Sequence, residues 1–151
     1  MGTLEILSTT LLGGVVSAFV PLVNAEVITL SAVTLGPRHL AVPCVLLVTL
    51  GQMVGKSVIF MAGRGAIRTP WLVSAEKIRK ASARLEEGGR AGNLILFASA
   101  SAGLPPFYLT TVACGMLRMS FARFAVLGFS GRLIRFSALA VFPQLVQGVL
   151  S

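Results

Sequence analysis

Apolar positions along this chain come in long runs bounded by single charges, rather than in the stripes of a soluble amphipathic fold. The uncharged stretches are 6–25, 27–37, 39–55, 91–117 and 136–151. A helix that crosses a bilayer needs roughly 20 predominantly apolar residues, so only two or three of these stretches are long enough. The shorter ones predict helices that break or turn back inside the membrane. Segment two, about 40–63, holds 24 residues and as a helix extends roughly 36 Å, enough to span. Segment one (about 6–35) is interrupted by Pro21 within FVPLVNAEVITL. Segment three (about 92–117) carries the adjacent Pro105 and Pro106 within SAGLPPFYLTTVA, and segment four (about 120–150) is interrupted by the charged GRLIRF. Two crossings read as continuous.

Proline lacks a backbone donor and pushes the residue before it out of helical conformation. Pro105 and Pro106, at the middle of the longest uncharged run, therefore predict that segment three does not cross but returns. Such a turn must be shielded by protein or line a wet cavity, because lipid cannot satisfy its free carbonyls. Two hairpin tips facing each other would shield one another. A different pattern fills 69–89, TPWLVSAEKIRKASARLEEGG. Thr69 is an N-cap candidate, Pro70 suits the first helical position, and Gly88 and Gly89 end the helix. Trp71, Ala75, Ile78, Ala81 and Leu85 recur at three- and four-residue spacing, while Lys77, Lys80, Arg84 and Glu87 take other faces. This predicts an amphipathic helix lying on the cytoplasmic surface of the membrane.

Composition agrees with a membrane protein. The chain is 55% hydrophobic and 12% charged, against roughly a quarter charged in soluble domains. The net charge of +8 reads as topology. Arg64, Arg68, Lys77, Arg79, Lys80, Arg84 and Arg90 cluster against Glu76, Glu86 and Glu87, and a loop so basic stays cytoplasmic. Nucleic-acid binding is not expected, because Trp71 is the one aromatic among those bases and stacking platforms are missing. Cys44 and Cys114 stand alone in apolar surroundings and His39 is the single histidine, so neither a disulfide nor a metal site is expected. LVNA at 22–25 offers small residues for signal cleavage, but Glu5 and no Lys or Arg precede the apolar stretch. The segment is read as mature protein.

A weak internal repeat relates the halves. GKSVIF at 55–60 matches GRLIRF at 131–136 in its Gly, its basic residue, a β-branched position and its Phe. A proline-broken segment lies upstream of each: FVPLVNAEV in the first, GLPPFYLTT in the second. With the basic loop inside, one hairpin would enter from outside and the other from inside. The halves would then be inverted, the arrangement that places a transporter's site near the bilayer midplane.

Glu26 is the one acid between Glu5 and Glu76 and follows a predicted hairpin tip. An ionisable group at membrane depth is costly and marks function by default. Low dielectric favours a neutral carboxyl and a nearby cation opposes that, which makes Glu26 the candidate proton carrier. Lys56, Arg132 and Arg135 lie in or beside apolar segments, where they could pair with Glu26 or bind an anionic head group. Arg118 and Arg123 flank the second hairpin and can snorkel to water. GQMVGKS at 51–57 is not a phosphate-binding loop: Gly51 and Gly55 enclose three residues instead of four, and the chain has no aspartate. Gly51 and Gly55 instead predict close helix packing. No catalytic constellation emerges, so the protein is not read as an enzyme.

The order of P-x4-E at Pro21 to Glu26, G-Q-x2-G at Gly51 to Gly55, G-R at Gly63 and Arg64, a proline-containing second hairpin, A-C-G-M-L-R-M at 113–119 and G-R-x2-R-F at 131–136 resembles the DedA-type membrane proteins. These carry the VTT, or SNARE-associated, domain, and the smaller subgroup ending in Gly-basic-x2-Arg-aromatic matches best. The resemblance implies a single membrane domain over 1–151: a first half at about 6–63, the linker helix at about 69–89 and a second half at about 92–150. It implies an all-α integral membrane protein with two re-entrant hairpins in an inverted repeat, about two full transmembrane helices, and an inner-membrane location. It further implies translocation of undecaprenyl phosphate or another phospholipid, with a role for the proton gradient and no cofactor. Glu26 would be the hairpin-one acid. Larger members place arginines around the second proline, where Ala102 and Tyr108 stand here, with Thr110 and Thr111 beyond; Arg118, Arg132 and Arg135 match the subgroup's downstream basic positions. The expected function is therefore a flippase or scramblase of an anionic lipid. Glu26 would couple protons, Lys56, Arg118, Arg132 and Arg135 would bind the head group, and Pro21, Asn24, Pro105, Pro106, Tyr108, Thr110 and Thr111 would form the hairpin tips. The rival readings are a non-transporting scaffold and a proton-coupled exporter of small cations. A homodimer is one way for so short a chain to shield its hairpins.

Overall fold

Each apolar run becomes helix, and the breaks fall where proline, glycine or a capping side chain ends the hydrogen-bond ladder. The computed structural model describes residues 2–20, 23–65, 75–86 and 89–150, and among these every regular element is helical. The helices are α1 (Thr3–Phe19), α2 (Ala25–Leu35), α3 (Ala41–Gly63), α4 (Ala75–Glu86), α5 (Gly89–Ala102), α6 (Phe107–Met116) and α7 (Phe121–Leu150), with a 3-10 turn at Arg38–Leu40 before α3. Two stretches, Arg38–Gly63 and Phe121–Pro143, are long and apolar enough to cross a membrane. Pro21 lies outside the described residues, as do Thr69, Pro70, Trp71 and Gly88.

Segment four, apolar apart from the charged GRLIRF, is one continuous helix, α7 from Phe121 to Leu150 with Pro143 inside it, as the reading of a crossing requires; charged side chains leave the backbone ladder intact. One boundary differs from the sequence reading. Gly89 does not end the amphipathic helix but opens α5. On α4, Lys80 and Glu76 pair at 3.1 Å with both side chains exposed, while Leu85 is buried.

The chain divides into two compact units, 1–55 with 132–151, and 56–131. The division falls between Gly55 and Lys56 in α3 and between Gly131 and Arg132 in α7, at the two copies of the Gly-basic motif. In the first unit α1 and α2 fold back on each other, Ile28 sitting against Gly13. The first part of α3 runs parallel to α1: Thr10 Oγ1 lies 3.8 Å from Cys44 Sγ, and Gln52 Nε2 donates to Ser17 Oγ at 2.9 Å. This approach depends on glycine. A Cβ at Gly14 would lie 2.8 Å from the Val48 carbonyl oxygen, and one at Gly55 would lie 3.1 Å from that of Val15. Ala25, Val45, Val48, Phe136 and Ala140 form the apolar core of this unit.

The second unit holds α4, α5 and α6 with the end of α3 and the start of α7. The break between α5 and α6 is Gly103–Pro106, with Gly103 at φ +83°, a left-handed conformation that glycine adopts without strain. Ser99 closes it, donating to the Pro105 carbonyl at 2.5 Å and sharing a hydrogen bond with Thr110 at 2.9 Å. A Cβ on Gly131 of α7 would meet the Phe97 carbonyl of α5 at 3.0 Å. Phe60, Phe107, Phe121 and Phe124 form an aromatic cluster, Phe60 stacking on Phe124 at 4.6 Å between centroids. Helix α6 ends in a Schellman motif, with Met119 N–H on the Cys114 carbonyl and Arg118 N–H on that of Gly115. Arg118 occupies its left-handed position at φ 54°.

Candidate functional site

In the first unit the site is built by the start of α2. Asn24 caps that helix, its Oδ1 accepting the Glu26 N–H at 2.9 Å. Ala25 and Thr29 are buried, which sets the face that α2 turns to its neighbours, and Thr29 Oγ1 is satisfied within the helix by donating to the Ala25 carbonyl at 2.7 Å. Glu26 is thereby held in the first turn, where a carboxylate also gains from the helix dipole. Its Oε1 accepts from Arg135 Nε of α7 at 2.8 Å and from Arg135 Nη2 as well. The pair is neither sealed nor fully wet, with 24% of the Arg135 and 32% of the Glu26 side chain exposed. Arg132, one turn earlier on α7, lays its guanidinium 5.8 Å from the ring centroid of Phe136, which is fully buried.

In the second unit the corresponding place is the start of α6. Tyr108 follows the buried Phe107, and Thr111 donates to the Phe107 carbonyl at 2.7 Å, just as Thr29 does to Ala25. Lys56, only 4% exposed, puts its ammonium 5.0 Å from the Tyr108 ring centroid. A cation over an aromatic face is attracted by the ring's quadrupole, and more strongly when water is excluded.

The structure thus brings Glu26, Arg135 and Arg132 together in one unit, and Lys56 and Tyr108 in the other. Pro105 and Pro106 lie in the break, Asn24 at the head of α2, and Thr110 and Thr111 are buried on α6. Arg118 is exposed after α6. Sequence reasoning did not single out Ser99, Ser17 or Gln52, which hold helices together, or the contact Arg64 makes. Arg64 donates from Nη2 to the Met119 carbonyl at 2.6 Å and lies over the Phe60 ring. A small polar residue in an apolar run, as in ASASA at 98–102, is the one signal that pointed to such bonds. Among the described residues no group of three or more His, Cys, Asp or Glu could hold a metal ion.

The family model for the VTT domain matches residues 6–145, a span that takes in both units and both charged sites. The chain belongs to the VTT-domain family. This is the domain of the DedA/SNARE-associated membrane proteins, so the apolar helices of this VTT protein are those of a membrane protein. Comparison with curated proteins and with solved structures gives no match.

Proposed function

We propose that this VTT protein moves an amphipathic anionic lipid, a phospholipid or a polyprenyl phosphate, across a membrane. The observation that carries this reading is the Glu26–Arg135 pair. Arg135 and Arg132 lie well inside the Phe121–Pro143 stretch, and the acid that meets Arg135 stands at the start of a helix too short to span. Ionisable groups at such depth mark a substrate or proton pathway. Family membership supports the reading, since VTT proteins are in general non-enzymatic membrane proteins.

Helix lengths support re-entrance. Helices α2 and α6 have 11 and 10 residues, about half a crossing, and each follows a break after a longer helix. In this reading both hairpins enter the membrane and return, the first from outside and the second from the cytoplasm, so that the halves are inverted. The basic 64–90 loop and α4 lie on the cytoplasmic face of a bacterial inner membrane. Arg132, Arg135, Lys56 and Arg118 attract the phosphate of the head group, and Glu26 couples its passage to a proton. The exposed apolar side chains Leu12, Val27 and Val126 face lipid or a second copy of the chain.

The test is reconstitution of the purified protein in vesicles bearing a fluorescent anionic phospholipid, with a membrane-impermeant quencher reporting lipid that reaches the outer leaflet. The wild type should speed exchange, and Glu26→Gln combined with Arg132→Ala should return it to the rate of empty vesicles. Exchange that survives the double substitution sinks this mechanism. A wild type that moves no lipid leaves the scaffold reading standing.

A further inference from the structure

The Arg135 guanidinium offers the edge formed by Nε and Nη2, and both donors converge on a single oxygen, Glu26 Oε1. Two parallel N–H groups on one edge are also how arginine holds phosphate oxygens. The resident carboxylate therefore occupies the place that a phosphate group would take. Half-buried charges are replaced far more readily by an equal charge than removed, since an uncompensated guanidinium at that depth is costly. The exposure of both side chains leaves room for exchange. Glu26 is also able to leave without dismantling the helix, because its backbone N–H is held by Asn24 and the carboxylate remains beside the positive end of α2.

We propose that Glu26 is an internal stand-in for the lipid phosphate, keeping Arg135 occupied until an anionic head group displaces it. The inference rests on the lipid-transport reading and adds a competition within the site: Glu26 and substrate exclude each other on Arg135. Glu26 then opposes binding while serving transport, because its return to Arg135 expels the phosphate. Without that return the head group stays.

Two measurements on the full-length protein in detergent test this. The first is binding of short-chain phosphatidic acid, with short-chain phosphatidylcholine as the reference. If Glu26 holds Arg135 about nine-tenths of the time, Glu26→Gln should tighten phosphatidic acid binding roughly tenfold, and adding Arg135→Gln should abolish the gain. The second needs no substitution. An apolar carbodiimide adds to a protonated carboxyl group, its nitrogen taking the proton, and a Glu26 displaced from Arg135 is free to take up that proton from water, so phosphatidic acid should accelerate labelling of Glu26 in the wild type. Inorganic phosphate at the same concentration should not, and equal acceleration by it would overturn the assignment to a lipid. Binding that weakens or stays constant in Glu26→Gln, or labelling slowed by the lipid, overturns the competition while leaving transport intact. Should Glu26→Gln fail to fold, the wild-type labelling decides alone. If no variant prefers phosphatidic acid to phosphatidylcholine, both the competition and the transport reading fall.

Discussion

The two units use one local plan and fill it with different chemistry. In each, a short helix begins with a buried apolar residue, Ala25 or Phe107, and four positions later in both helices a buried threonine, Thr29 or Thr111, bonds back to that residue's carbonyl. The residue next to that apolar one, second in the helix, faces a basic side chain of a Gly-basic motif, but at a different place in it: Lys56 belongs to the Gly55-Lys56 step itself, whereas Arg135 lies three residues past Arg132. In the first unit that residue is Glu26 against Arg135; in the second it is Tyr108 against Lys56. The difference is one of exchangeability. A carboxylate on an arginine can be replaced by another anion or neutralised by a proton, whereas an aromatic face neither titrates nor competes as a charge. The first unit is thus suited to switching and the second to holding a cation in place.

The largest effect expected from breaking this comparison is at Arg135. Arg135→Ala leaves Glu26 as a carboxylate without its partner at membrane depth, and the cost should be about 2–3 kcal/mol, below that of a fully buried pair because both groups are partly exposed. Thermal unfolding in detergent measures it, and Glu26→Gln in the same chain should restore part of the loss. Next come the glycine contacts, one in each unit. Gly14→Ala and Gly131→Ala each force a methyl against a backbone carbonyl, at 2.8 Å and 3.0 Å respectively, and each should cost about 1–3 kcal/mol. A neutral result at either position would count against that close approach. Tyr108→Leu should cost about 1 kcal/mol through loss of the cation–aromatic contact, and Tyr108→Phe, which keeps the ring, should cost less. The smallest effects should come from Thr29→Val and Thr111→Val, each below about 1 kcal/mol.

Much of this was legible in the sequence, for reasons that are local. Pro105 and Pro106 keep α5 from running on into α6, because a residue without an N–H, and the residue before it, cannot continue a helix; the helix itself stops at Ala102, with Gly103 in the left-handed position after it. The Gly51 and Gly55 spacing correctly announced a close helix contact. The Gly-basic motif copies at 55–60 and 131–136 mark where both long helices pass from one unit to the other. The pairing of Glu26 with Arg135 was legible only as one choice among several, since Lys56, Arg132 and Arg135 all stood in apolar surroundings. Sequence separation gave no preference, the partners lying 109 positions apart.

By itself, then, the sequence determined that this is a helical membrane protein with proline-broken segments and few intramembrane charges, because bilayer thickness and backbone hydrogen bonding act on each stretch independently. The tertiary structure alone decided which charge meets which partner. That choice depends on the rotation of α2 set by Ala25 and Thr29, on the phase of α7 set by Phe136 and Ala140 in the core, and on the few ångströms of helix separation that glycine permits.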